Sequence, residues 1–392
     1  MLHAVILLLA LSVAQAGSFD AFLKRMAMVR PAERAPHVEQ YLAGRHLPII
    51  ESDTLLTFVW YGVADSVFVN GALQDGWRAP ARMESLPCTD SASGASLFYK
   101  QYAAPRDARL EYKFIVNGMH ILDPANVRLT PDGDFANSEA VMPGFVQTPY
   151  AIYQAGTEHG TMDTILFTPK DSTIRPRRIY VFLPPGYAGQ HDLPSVYVHD
   201  GETALRHMSV TTILENMIAD GSMVPAIAVF VPFVERDQEY LGPKHTRYVN
   251  TLADELVPLI DGRYRTAKGP QRRGTMGISN GGHLALAMGL ARPDVFGACA
   301  GQSSTITPVL NALLDVRLRY APLPGWFRVY QQCGRFDIVA PGYRFLEMNR
   351  EFSGMLARLN IRHVYVETSD GHDWPSWRER VPEILRFLFM PN

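Results

Sequence analysis

From Gly160 onward, short apolar runs alternate with longer stretches whose apolar residues recur at helical spacing. TMDTILFTP and RRIYVFLPPGY read as a first hairpin; LPSVYVHDG, PAIAVFVPF, RRGTMGIS, GACAGQSS, RVYQQCGRFD and RHVYVET read as the strands that follow. Between or after them lie YVNTLADELVPLIDGRY, GGHLALAMGLARP, YRFLEMNREFSGMLARLN and SWRERVPEILRFLF, which predict amphipathic helices. The central strands are apolar on both faces, so both need covering. The pattern predicts an α/β fold with a mostly parallel sheet between helical layers. In such sheets ligands sit beyond the carboxyl ends of the strands.

The earlier chain has a different texture. LLTFVWYG, DSVFVNG and ARLEYKFIVNG are short Val-, Phe- and Tyr-rich runs bounded by Gly, Asn and Asp, which predict a small all-β, immunoglobulin-like sandwich over residues 48–144. A charged helical lead over 17–47 precedes it, and a Pro- and Gly-punctuated linker over 145–159 separates it from the α/β region, 160–392. Ahead of all this, Ala4 to Val13 is apolar and Ala14-Gln15-Ala16 offers small-x-small, so residues 1–16 predict a removed signal peptide and a periplasmic or secreted protein. The segment carries no Lys or Arg, but it is too short to span a bilayer comfortably. No stable membrane span is expected.

Length and charge narrow the partners. The 392 residues suit two domains, with 47% hydrophobic and 19% charged residues. Lys+Arg 37 against Asp+Glu 39 gives a formal charge of -2 without a basic block, which argues against a nucleic-acid partner. Cys88, Cys299 and Cys333 are too few and scattered for a metal cluster or a disulfide framework. Neighbouring strands would allow a Cys299–Cys333 bridge, though buried free thiols are the favoured state. Oligomeric state stays open.

The chemistry gathers around GTMGISNGGH. Gly277-Ile278-Ser279-Asn280-Gly281 fits G-x-S-x-G, and it sits after a predicted strand and before a predicted helix, the context in which a turn lifts a nucleophilic hydroxyl above a sheet. A serine hydroxyl needs a base within reach and an acid to orient that base. His372 in SDGHDWPSW follows the last strand and is the expected base. Asp337 in QQCGRFD closes the preceding strand and is the expected acid, giving the order Ser, Asp, His. Asp370 and Asp373 are too near His372 in sequence to face its far ring nitrogen, and Asp315 falls on a helix. His283 and His199 read as packed polar residues. The oxyanion would take backbone N–H donors from Asn280 and from Glu202, whose side chain is expected to point away.

HDG, ELVPLIDGRYRT, MGISNGGHLAL, ARPDVFG, QSS, CGRFD and DGHDWPSW together resemble, in order, the motifs of the esterase D family, which includes siderophore, feruloyl and acetylxylan esterases and mycolyltransferases. The resemblance covers roughly Gly160 to Phe389. It implies an α/β-hydrolase fold, a Ser279–Asp337–His372 triad, the Asn280 and Glu202 oxyanion hole, and no metal or organic cofactor. Where many members read Gly-Gly-His, this chain has Asp370-Gly371-His372. SVFVNG, the Trp77 segment and EYKFIVNGMHILDPAN resemble early-set, glycogen-recognition-like modules, which makes Trp77 a candidate sugar contact; filling the sandwich or a domain interface is its plainer role.

The expected activity is ester hydrolysis through an acyl-enzyme. Ferric siderophore trilactones and feruloyl or acetyl glycan esters remain open as substrates, with Trp374, Arg335 and Trp77 as candidate contacts; a basic pocket, to which Arg335 and Arg236 could contribute, would favour the siderophore, and surface charge is the plainer role of both arginines. An acyltransferase of the same fold is the alternative, and a non-catalytic glycan-binding protein is the reading from another class; the latter would predict a broken triad.

Overall fold

The computed structural model describes residues 18–73, 76–91, 94–130 and 136–389. The leader expected over 1–16 lies outside them. Two compact units divide between Phe145 and Val146.

The first unit begins with helices Phe19–Ala27 and Arg34–Leu42. Ser18 starts the first of them, its hydroxyl accepting the Ala21 N–H at 3.2 Å, one of the N–H groups that a helix start leaves without an internal partner. Among the described residues nine strands follow: β1 (Ile49–Ser52), β2 (Leu55–Gly62), β3 (Val67–Gly71), β4 (Ala81–Arg82), β5 (Glu84–Pro87), β6 (Ser96–Ala103), β7 (Arg109–Val116), β8 (Met119–Ile121) and β9 (Ser138–Val141). They form two antiparallel sheets, β1-β2-β6-β5 and β4-β3-β7-β8, with β9 paired to β7. Phe58 of the first sheet meets Tyr112 of the second at 4.6 Å between ring centroids, so the sheets pack face to face. Tyr112 is fully buried, and its hydroxyl reaches the Asp123 carboxylate at 2.6 Å, which satisfies a polar tip inside an apolar layer.

The second unit holds an eight-stranded sheet. Its strands are β10 (Thr161–Phe167), β11 (Arg177–Leu183), β12 (Ser195–His199), β13 (Ile227–Val231), β14 (Arg273–Ile278), β15 (Ala298–Gln302), β16 (Arg328–Gly334) and β19 (Arg362–Thr368); a small β17–β18 ribbon (Val339–Ala340, Tyr343–Arg344) stands apart. The spatial order is β10-β11-β13-β12-β14-β15-β16-β19. β10 pairs antiparallel with β11 and β11 with β13, and every later pairing is parallel. The predicted opening hairpin and mostly parallel sheet are both present.

Alternation along β12 explains the layers. Val196 and Val198 join the apolar cluster that takes in Leu214 and Met217 of helix Val210–Ala219 and Leu385 and Leu388 of helix Val381–Phe389. Tyr197 points the other way, into the cluster that includes Leu252, Leu256 and Ile260. Those residues lie on a helical run from His245 to Arg263 that passes through a π turn at Leu252–Leu256. Each fully buried side chain of this kind is worth about 1.5–3 kcal/mol relative to exposure, so neither face could stay bare.

Cys88, Cys299 and Cys333 are buried free thiols. On adjacent strands, Cys299 lies opposite Val329 rather than Cys333. The four-residue offset along β16 corresponds to about 13 Å, beyond the ~7 Å limit for bridging Cα atoms.

Candidate functional site

β14 ends at Ile278, and helix Ser279–Ala291 starts at the next residue, with Ser279 at φ +54°. That left-handed conformation is strained for a non-glycine residue and is a mark of a sharp strand-to-helix turn. Gly277 makes the turn sterically feasible: a Cβ there would stand 2.2 Å from the Gly281 carbonyl oxygen. The Ser279 carbonyl accepts the Thr305 N–H at 3.1 Å, tying the turn to the segment after β15.

Two strands further along the sheet, His372 and Asp337 meet. Asp337 lies three residues beyond the end of β16, His372 four beyond β19. His372 Nδ1 is 2.7 Å from Asp337 Oδ1. With the Nδ1 proton donated to the carboxylate, Nε2 is left to act as a base. The Asp337 side chain has no exposure while His372 keeps 13%, so the carboxylate is sealed and the imidazole stays reachable. Burial alone would raise the Asp337 carboxyl, but the facing His372 charge, its hydrogen bond, the Ser303 hydroxyl and the Ile338 N–H at 2.6 Å hold it below the usual carboxylate range. The Cys333 thiol adds a contact at 3.4 Å.

The imidazole is clamped by rings. Phe345 and Trp377 approach it edge-on, with centroids 5.0 and 4.8 Å away. Trp377 donates its Nε1–H to the Ser303 Oγ at 2.9 Å, and Ser303, at φ +44°, in turn reaches Asp337. Sequence reasoning gave Ser303 and Trp377 no role, although both stand in the QSS and DGHDWPSW motifs. Motif letters mark position; only folding brings Trp377, Ser303 and Asp337 into one hydrogen-bonded chain that ends on the Asp337 carboxylate.

The other predicted residues sort clearly. Asn280 follows Ser279 in the first helical turn, and its side chain is occupied, accepting from Thr305 Oγ1 at 2.7 Å and donating to Asp237 Oδ1 at 3.3 Å. Glu202 lies in the first turn of the short helix Gly201–His207, and its carboxylate turns away to accept the Tyr180 hydroxyl at 2.7 Å. Trp374 is half-buried between His207 at 5.4 Å and Trp377 at 5.3 Å. Arg335 is half-exposed, 3.9 Å from Glu367. Trp77, at φ +62° in the first unit, donates its backbone N–H to the Gly71 carbonyl at 2.7 Å. Arg236 is not a free cation: it chelates the buried Asp200 at 2.6 and 2.9 Å, which corrects its expected contribution to a basic pocket.

The rival acids and bases have other tasks. Asp373 accepts the Ser376 N–H at 2.9 Å and starts helix Trp374–Arg378, while Asp370 accepts from Thr368 at 2.5 Å. His199 contacts Thr275 at 2.8 Å and His283 contacts the Thr305 carbonyl at 3.0 Å. Burial pushes both down to about 3, the neighbouring His245 adding to the effect on His283, so both are neutral at ordinary pH. Among the described residues no group of three or more His, Cys, Asp or Glu is placed to hold a metal ion.

A family model described as "Putative esterase" matches residues 171–388, more than half of the chain. The chain belongs to the esterase family. This esterase is 31% identical over 159 residues to an endo-1,4-beta-xylanase/feruloyl esterase of Xylanibacter ruminicola, a match covering 37% of this chain and only 22% of that one. Its fold is similar to that of the enterobactin esterase of Shigella flexneri, solved in the presence of enterobactin, with TM-score 0.69, 21% identity, and coverage of 90% of this chain and 98% of that one. A ferulic acid esterase from Anaeromyces mucronatus, solved with ferulic acid, aligns with TM-score 0.51 and 20% identity over 62% of this chain and 96% of its own. The second unit of the esterase therefore has the α/β-hydrolase fold. Among the described residues no helix is long and apolar enough to cross a membrane.

Proposed function

We propose that this ester hydrolase works by two-step acyl transfer at Ser279, with His372 as base and Asp337 as the acid that orients it. The observation that carries the reading is the pairing of a left-handed Ser279 at the strand-to-helix turn with a partly buried His372–Asp337 hydrogen bond at the ends of neighbouring parallel strands. His372 Nε2 takes the Ser279 proton as Oγ attacks the ester carbonyl, and the same proton then goes to the departing alcohol. Asp337 stabilises the imidazolium formed between these events. Water enters, gives a proton to His372, attacks the acyl-enzyme and releases the acid, and Ser279 recovers its proton. The backbone N–H groups of Asn280 and Glu202 receive the developing oxyanion, and the Glu202 side chain, held on Tyr180, does not face it.

The proposed substrate is a catecholate trilactone, ahead of feruloyl and acetyl glycan esters. The likeness to the enterobactin esterase spans more of the chain than the second unit alone could supply, whereas that to the ferulic acid esterase is about the second unit's share. The first unit is proposed as an immunoglobulin-like early-set module, and the chain as an exported protein cleaved after residue 16. Intact mass of the exported protein tests the cleavage.

Turnover of p-nitrophenyl acetate by the parent and by Ser279→Ala tests the mechanism. The expected loss is about 10⁴-fold or more; equal rates would remove Ser279 from the chemistry. A parallel screen of ferric enterobactin, methyl ferulate and acetylated xylan ranks the substrates, and faster turnover of methyl ferulate or acetylated xylan than of the trilactone reverses the proposed order. Product analysis with added alcohol separates hydrolysis from acyl transfer.

A further inference from the structure

The oxyanion side of the site holds a charge arrangement that ester hydrolysis by the triad alone does not use. Asp200, the last residue before the helix Gly201–His207, has φ +56° and is 3% exposed. Its carboxylate lies against the first turn of the nucleophile helix: a Cβ on Gly281 would meet Asp200 Oδ2 at 2.5 Å. A helix N-terminus attracts negative charge, and the oxyanion formed beside Asn280 would depend on that same terminus. A bare carboxylate at this position would compete with the oxyanion and repel it. Asp237, which accepts from the Asn280 side chain at 3.3 Å, adds a second negative group nearby.

Arg236 answers this problem. Its Nε and one terminal nitrogen bind both Asp200 oxygens, at 2.6 and 2.9 Å, in the planar fork that suits a carboxylate. Arg236 stands on the short helix Arg236–Tyr240 after β13, with its cation over the Tyr240 ring at 5.4 Å. That helix is itself pinned. Glu239 is fully buried and bound by both terminal nitrogens of Arg177, at 2.7 and 2.9 Å, and the Tyr240 hydroxyl accepts the Asp200 N–H at 3.1 Å. Gly201 presses against β13, where a Cβ would come 2.6 Å from the Val231 nitrogen. The segment Asp200-Gly201-Glu202 is thereby fixed at three points, all on or just after β13.

We propose that Arg236 is a positioning residue for ester hydrolysis: it locks the loop that presents the Glu202 N–H and cancels the buried Asp200 charge beside the oxyanion. The proposal rests on Ser279 being the nucleophile. Arg236 touches neither substrate nor the reacting atoms in this role, and acts through Asp200.

The test is steady-state kinetics on p-nitrophenyl acetate with Arg236→Met, Arg236→Lys, the double variant Arg236→Met/Asp200→Asn, and Ser279→Ala as control, each checked for folding by circular dichroism and thermal melting. Arg236→Met should lower kcat about 10²-fold, the scale of losing one oxyanion donor, with KM within about twofold. The double variant, which removes both charges, should be several-fold faster than Arg236→Met alone. A folded Arg236→Met with parental kcat, or a folded double variant no faster than the single, overturns the proposal. If Arg236→Met does not fold, Arg236→Lys decides: it keeps the charge without the fork, so kcat should fall about 10-fold with KM held, and an unchanged kcat overturns the positioning role. Parental activity in Ser279→Ala would sink the underlying mechanism instead.

Discussion

Two buried aspartates flank the strand-to-helix turn, and they are opposites. Asp337, beyond β16, faces an imidazole and neutral donors, and these hold its carboxyl below the ordinary range. Asp200, beyond β12, has a full arginine fork yet is raised, because burial outweighs Arg236. One strong partner compensates lost hydration less completely than several convergent donors do. On the proposed mechanism the first carboxylate stabilises a charge that appears during turnover, and the second is kept silent.

The largest break in this comparison is expected from isosteric amides. Asp337→Asn should reduce kcat by about 10⁴-fold, because an amide favours the wrong imidazole tautomer. Asp200→Asn should cost about 10-fold or less, and stopped assays of both on one ester measure the gap. A comparable loss in the two would mean that the acid has been placed on the wrong strand.

Trp377→Phe sharpens the Asp337 side. It keeps the ring against His372 but deletes the N–H that holds Ser303, and one neutral hydrogen bond of about 1 kcal/mol predicts a kcat fall of about 5-fold. Trp377→Leu, which loses the ring as well, should fall further; equal kinetics for the two would leave the aromatic contact without effect.

The smallest effect is on stability against pH. A folded pKa below the unfolded value of about 3.9 gives stability that is complete above it and lost as pH falls through the folded value, which is the Asp337 case. A raised folded pKa gives stability that is present below about 3.9 and lost as pH rises through the folded value, which is the Asp200 case. Melting temperatures between pH 3 and 6 should therefore show Asp337→Asn flattening the acid fall and Asp200→Asn flattening a loss in the opposite direction. Each change should be about 2–4 °C per kcal/mol involved. Slopes of the same sign would refute the contrast.

The sheet was legible because its strands announce themselves twice, by apolar runs and by the helices between them. The spatial order was not, since β12 and β13 are both five-residue apolar strands and nothing local says that β13 lies outside β12. Turn context and chain order singled out Ser279, Asp337 and His372 as candidates, and the fold puts Ser279 on a left-handed turn and pairs His372 with Asp337. Ser303, Trp377 and Asp200 could not be singled out, because each is bonded to a partner 36 or 74 residues away, as Arg236 is from Asp200 and Trp377 from Ser303. The state of Arg236 was hidden for the same reason: a positive charge is visible in a sequence, whereas the carboxylate that neutralises it is visible only in the fold.

All three thiols are buried and unpaired. No covalent cross-link has to form for this chain to reach its native state, so its folding is indifferent to redox potential: recombinant protein made in a reducing cytosol and protein matured in an oxidising space should have the same melting temperature, with or without dithiothreitol.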